Sequence, residues 1–148
     1  MSESHFNLVL ADDDVDDCMF FKEALEELPL SATLSTVNDG IELMNFLASE
    51  TDGLPDILFL DLNMPRKSGT ECLSEIKFNN KLKHIPVVIF STAFDMEVVD
   101  LLYQTGAHHY IRKPGEYFKL KQVIFEAFTL TTQSNHKQPP RDQFVLQT

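Results

Sequence analysis

Side chains able to do chemistry stand at the ends of four short apolar runs. Leu8-Val9-Leu10-Ala11 ends in Asp12-Asp13-Asp14, Ile57-Leu58-Phe59-Leu60 in Asp61, Val87-Val88-Ile89-Phe90 in Ser91-Thr92, and Tyr110-Ile111-Arg112 in Lys113-Pro114. If these runs are parallel strands lying side by side, acids, a hydroxyl and an amine converge on one carboxyl edge, where open α/β sheets collect ligands. Three carboxylates so gathered destabilise one another unless a cation neutralises them. Mg2+ suits Asp12, Asp13 and Asp61, because it accepts one or two carboxylates and keeps positions open for phosphate oxygens. Zinc would want His or Cys ligands that this edge lacks. Asp61 beside such an ion can act as a nucleophile toward phosphorus, giving an acyl phosphate. Lys113, Ser91 and the backbone N–H groups after Asp61 then supply donors for the phosphoryl oxygens. Asp14, Asp16 and Asp17 read as a helix cap and its favourable dipole charges only.

The elements that must position these groups follow from periodicity. A strand over Phe6 to Ala11 is followed by a helix with Cys18, Phe21, Leu25 and Leu28 on one face, ended by Pro29. Ala32 to Val37 reads as a second strand, and Asn38-Asp39-Gly40 turns the chain into a short helix carrying Ile41, Met44 and Leu47. After the Asp61 strand, Gly69 opens a helix with Cys72, Leu73 and Ile76 inward, and His84-Ile85-Pro86 introduces the next strand. A helix from Asp95 to Gln104 stops at Gly106. A last strand leads through Lys113-Pro114-Gly115 into a helix with Leu120, Val123, Ile124, Ala127 and Phe128 inward.

Five strands alternating with five helices imply an α/β fold, a doubly wound parallel sheet covered by helices on both faces. Continuous apolar strands fit burial on both sides. The order 2-1-3-4-5 is borrowed from flavodoxin-like folds, and it makes the Asp12 and Asp61 strands neighbours. The expected domain spans residues 5–130. Residues 131–148, polar and interrupted by Pro139-Pro140, read as a flexible C-terminal tail, with docking of the final Phe144-Val145-Leu146 as the less favoured alternative.

Composition narrows the partners. With 43% hydrophobic and 24% charged residues the 148-residue chain is of ordinary globular type, and its net charge of -11 argues against nucleic acid or an anionic membrane surface. No run approaches the roughly 20 apolar residues of a membrane span, and no signal core opens the chain, so a cytoplasmic location is expected. Cys18 and Cys72 read as buried free thiols. His108-His109 would point to opposite faces of a strand and serve structure, not a metal.

On the acidic pair Asp12-Asp13, the Asp61-Leu62-Asn63-Met64-Pro65 segment with Gly69, Ser91 five residues after Pro86, and Tyr110 with Lys113-Pro114, the chain resembles the CheY-like response-regulator receiver domains of two-component signalling. The resemblance spans Phe6 to Leu130. It implies that Asp61 is the phosphoacceptor, Asp13 a direct Mg2+ ligand and Asp12 one acting through water, with Asn63 offering its backbone carbonyl. It makes Ser91 the switch hydroxyl, Lys113 the phosphate-binding lysine and Tyr110 the aromatic that reports phosphorylation. The Lys113-Pro114 bond is implied to be cis. A sensor histidine kinase or a His phosphotransfer protein would donate the phosphoryl group.

The segment after Leu130 is too short for a helix-turn-helix or enzyme domain, so output is expected through a downstream protein. Tyr103, Ile111 and Phe118 near the output face leave a homodimer open. Two rivals stand beside this reading. One is a pseudo-receiver that binds partners without phosphorylation, against which the intact acids and Lys113 argue. The other is a Mg2+-dependent phosphatase of the haloacid-dehalogenase type, which wants a general acid two residues after its nucleophile where this chain has Asn63.

Overall fold

The computed structural model describes residues 5–49, 53–134 and 137–146. Its elements run β1 (Phe6–Ala11), α1 (Val15–Glu26), β2 (Ala32–Val37), α2 (Gly40–Ala48), β3 (Ile57–Leu60), α3 (Gly69–Lys77), β4 (Val87–Ser91), α4 (Met96–Thr105), β5 (His109–Arg112), α5 (Tyr117–Gln133) and β6 (Val145–Leu146), with a 3-10 turn at Arg141–Gln143 before the last strand. All strand pairs are parallel, and the order is β2-β1-β3-β4-β5-β6.

Alternation along the strands divides the core in two. Val9, Ala11, Leu58, Leu60, Val87, Ile89 and Tyr110 pack on one face with the inner residues of α2, α3 and α4. Leu8, Leu10, Ile57, Phe59, Val88, Phe90 and Ile111 pack on the other with α1 and α5. Every strand residue of β3 and β4 is buried, as helices on both faces require.

Helix starts are fixed by side-chain caps: Asp14 accepts from the amides of Asp16 and Asp17, Asp39 from Glu42, and Asp95 from Glu97 and Val98. Ser68 and Glu71 form a reciprocal capping box at α3. Gly106 ends α4 at φ 119°, a left-handed conformation that glycine adopts without steric cost. In α2 Leu47 is buried as expected, but Ile41 and Met44 are only half-buried and Leu43 takes the inner place one turn before it.

The C-terminal segment departs from the expected flexible tail. Helix α5 continues to Gln133, and residues 137–146 dock beside β5. Phe144, at the end of the 3-10 turn, is fully buried in the α2–α4 core; within the strand Val145 packs on that same core and Leu146 on the α1–α5 core, so the added strand obeys the same alternation as the rest. Tyr103 donates its hydroxyl to the Pro139 carbonyl (2.7 Å), Gln138 donates to the carbonyls of Tyr103 and Ala107 (2.6 and 2.7 Å), and Arg141 pairs with Asp100. A polar segment is held here by a few well-placed contacts around one aromatic ring, which hydrophobic periodicity does not register. Residues 135–136 and 147–148 of the expected tail lie outside the described residues.

Candidate functional site

Asp12 and Asp61 are the first residues past β1 and β3, whose register pairs Ala11 with Leu60. The Asp61 amide donates to the Ala11 carbonyl at 2.9 Å, which holds the two acidic ends side by side. Asp12 is fully buried, Asp61 5% exposed and Asp13 exposed, and one oxygen from each lies within 4.8 Å of the others. Asp12 Oδ1 accepts from the Asp14 amide at 3.0 Å. Asp12 Oδ2 is 2.8 Å from Lys113 Nζ, an ion pair without hydrogen-bond alignment, so a buried lone pair on that oxygen is unmet. Hard oxygens, one with an unmet lone pair, fit a divalent cation. Burial pushes the Asp12 carboxyl up to about 6, against the pull of Lys113 and the Asp14 amide.

Lys113 follows β5, and its amide donates to the Ser91 carbonyl at 2.9 Å. Its ammonium also donates to Asp17 at 2.8 Å and to Asp61 at 3.3 Å, and lies 5.4 Å from the centre of the Phe90 ring. Burial disfavours the charged amine, yet close contact with the Asp12 and Asp17 carboxylates and the field of Asp61 outweigh it and hold the ammonium above the usual lysine range. The Lys113-Pro114 bond, implied to be cis, is trans, and no cis peptide bond occurs among the described residues. Trans is the default of an X-Pro bond by roughly 0.5–1 kcal/mol, and Lys113 meets its carboxylates from that backbone.

Ser91 ends β4 fully buried, whereas Thr92 is exposed, as the count from Pro86 requires. Its hydroxyl accepts from the Ala93 amide at 3.2 Å. Tyr110 is fully buried, and its hydroxyl donates to the Ala93 carbonyl. Burial raises its phenol above the usual range. Phe94 and Phe144 meet its ring edge-on, with centroids 5.7 and 6.4 Å away.

The loop after Asp61 is held by close backbone approach. A Cβ on Gly69 would lie 2.1 Å from the Asp61 carbonyl oxygen, so only glycine lets α3 begin there. Asn63 is exposed, and Arg66 adopts φ 68° while pairing with Asp39.

Other expected roles sort themselves by position. Burial pushes the thiols of Cys18 and Cys72 up to about 11, where they are poor nucleophiles. His108 and His109 are buried; His109 Nδ1 lies 3.2 Å from the Phe144 carbonyl and braces the docked segment. Of the three residues considered for a dimer face, Ile111 is buried, Tyr103 is half-buried and bonded to Pro139, and Phe118 is 67% exposed. Asp17, expected only as a favourable charge on the helix dipole, is a further partner of Lys113. The signal was its place in the first turn of the helix that leaves the Asp12-Asp13 edge.

The family model for the response regulator receiver domain matches residues 8–125. The chain belongs to that family. Response regulator Rcp1 of Synechocystis sp. is 34% identical over 132 residues, covering 84% of this chain and 89% of that protein. The probable methanogenesis regulatory protein FilR2 of Methanothrix harundinacea is 29% identical, covering 84% and 83%. Among solved structures, the phosphorylated cyanobacterial phytochrome response regulator RcpA superposes with a TM-score of 0.80 at 34% identity, covering 88% of this chain and 98% of that one. The Mn2+-bound form of Rcp1 gives 0.78 at 27% identity, covering 91% and 99%.

The receiver family places the chain in two-component signalling as a phosphoacceptor response regulator; receiver domains are phosphorylated by histidine kinases and bind a divalent metal at an acidic pocket, with which the cluster of Asp12, Asp13 and Asp61 is consistent. No helix among the described residues is long and apolar enough to cross a membrane.

Proposed function

We propose that Asp61 is the phosphoacceptor of this receiver and that Asp12, Asp13, Asp61 and the backbone carbonyl of Asn63 hold Mg2+. The observation that carries this reading is the convergence of three carboxylates and the Lys113 ammonium at the ends of β1, β3 and β5. When bound, the cation neutralises the carboxylates and the incoming phosphoryl oxygens. One Asp61 carboxylate oxygen attacks phosphorus, the new O–P bond forms, and the phosphorus–nitrogen bond of a kinase or phosphotransfer histidine breaks with its electron pair. The chain catalyses this transfer to itself and the later hydrolysis that resets it.

Lys113 and Ser91 then bind phosphoryl oxygens, and Tyr110, in contact with the Ala93 carbonyl, reports the change through α4 and β5. Output passes to a downstream protein, and the exposed Met96, Leu101, Phe118 and Phe125 on α4 and α5 offer it apolar contacts. A second copy of the chain is the alternative occupant of that surface. The action is cytoplasmic, where kinase and acyl-phosphate donors act. Relatives described as phytochrome response regulators favour a photoreceptor kinase as donor.

Intact-mass measurement after incubation with acetyl phosphate and Mg2+ tests the reading. A phosphoryl adduct that needs both Mg2+ and Asp61 supports it, and Asp61→Asn should carry none. A wild-type protein without an adduct would instead be a pseudo-receiver. Multiple turnover of an added phosphomonoester would favour the phosphatase, against which Asn63 in the place of a general acid argues.

A further inference from the structure

Lys113 has three carboxylate partners, and they differ in what else they do. Asp12 and Asp61 belong to the acidic triad, whereas Asp17 stands outside it on the first turn of α1. Asp17 Oδ2 is 2.8 Å from Nζ, against 3.3 Å for Asp61. The Asp17 side chain is not needed to cap α1, because Asp14 does that and only the backbone amide of Asp17 takes part. Asp17 and Lys113 together form part of the wall of a cavity of about 220 Å³ with Phe20, Phe90, Tyr117 and Leu120.

An ammonium and a divalent cation cannot both draw fully on Asp12 and Asp61, because they repel at that separation. The ammonium needs another anion within reach, and Asp17 is already in contact. We propose that Asp17 is a positioning residue that draws Lys113 off Asp12 and Asp61 when a divalent cation takes the triad. It keeps the ammonium at the pocket rim, ready for the phosphoryl oxygens. This rests on the reading of Asp12, Asp13 and Asp61 as cation ligands. It assigns Asp17 a role in cation affinity although Asp17 is not itself in the triad. Without it, Lys113 falls wholly on two of the ligands and competes with the cation.

A double-mutant cycle read by Mn2+ binding tests the proposal. The dissociation constant is measured by the paramagnetic resonance of free Mn2+ for wild type, Asp17→Asn, Lys113→Ala and the double variant, each first shown to fold by its thermal transition. Asp17→Asn is expected to weaken Mn2+ binding roughly threefold or more with Lys113 present, and much less in the Lys113→Ala background. Asp17→Glu, which keeps the carboxylate, should recover most of the affinity. An equal loss in both backgrounds would mean that Asp17 acts only as a distant negative charge, and no loss in either would mean that it does not position Lys113. Both outcomes overturn the proposal while leaving the phosphoacceptor reading intact. A wild-type protein that binds no Mn2+ and forms no Asp61 adduct would overturn both.

Discussion

Truncating Phe144 should release the C-terminal segment without unfolding the domain. The ring is fully buried, meets Tyr103 and Tyr110 edge-on at 5.1 and 6.4 Å, and is flanked by Arg141 at 5.8 Å. Replacing a buried Phe by Ala costs about 3–5 kcal/mol where the surroundings cannot collapse. Here the segment can detach instead of keeping a cavity, so the loss is capped by its own docking energy, and about 3 kcal/mol is a fair figure. That corresponds to roughly a hundredfold rise in the open population.

One amide reports this event specifically. The Tyr110 N–H donates to the Phe144 carbonyl at 3.0 Å, whereas those of Leu58, Asp61 and Lys113 donate to Pro86, Ala11 and Ser91 within the part of the sheet that excludes β6. Hydrogen exchange followed by NMR should therefore show the Tyr110 amide of Phe144→Ala exchanging roughly a hundredfold faster. The Leu58 and Asp61 amides should change little. An unchanged Tyr110 amide would refute the docking of the segment, and equal acceleration of all four would refute its separate opening.

Gly69→Ala should destabilise the protein by about 1–3 kcal/mol in chemical denaturation, because the new methyl group meets the Asp61 carbonyl. The same variant should slow phosphorylation by acetyl phosphate, since Asp61 and its loop must shift. Divalent cation binding should weaken as pH falls through about 6, where the buried Asp12 takes up its proton. Its carboxylate is the form that binds, so the dissociation constant by calorimetry should rise toward low pH, by up to about tenfold per pH unit. Ser91→Ala should leave the fold intact and reduce retention of the phosphoryl group, read as a faster decay of the intact-mass adduct, because the Ala93 amide then loses its side-chain acceptor and the phosphoryl oxygens lose a donor.

The alternation of short apolar runs with amphipathic helices anticipates five strands and five helices, while the meeting of Asp12, Asp61, Ser91 and Lys113 on one edge needed the borrowed strand order as well. It worked because both faces of β3 and β4 are covered, so burial leaves a continuous apolar signature. The inner face of α5 is legible for a different reason, its helical spacing, and Leu120, Val123, Ile124, Ala127 and Phe128 are all buried. Strand β6 escaped because two residues carry no periodicity, and its anchor Phe144 lies in a polar, proline-containing stretch. Asp17 escaped because an acid in a first helical turn already has an adequate explanation in the helix dipole. Only the tertiary approach of Lys113 from β5 gives it a partner.

The central claim is that the phosphoryl group resides on Asp61. Borohydride reduces an aspartyl phosphate to homoserine, so peptide mass spectrometry after incubation with acetyl phosphate and Mg2+ can read the position directly. The expected result is homoserine at position 61 alone, absent when either Mg2+ or acetyl phosphate is omitted. Homoserine at Asp12, Asp13 or Asp17, or none in the folded wild-type protein, would contradict it.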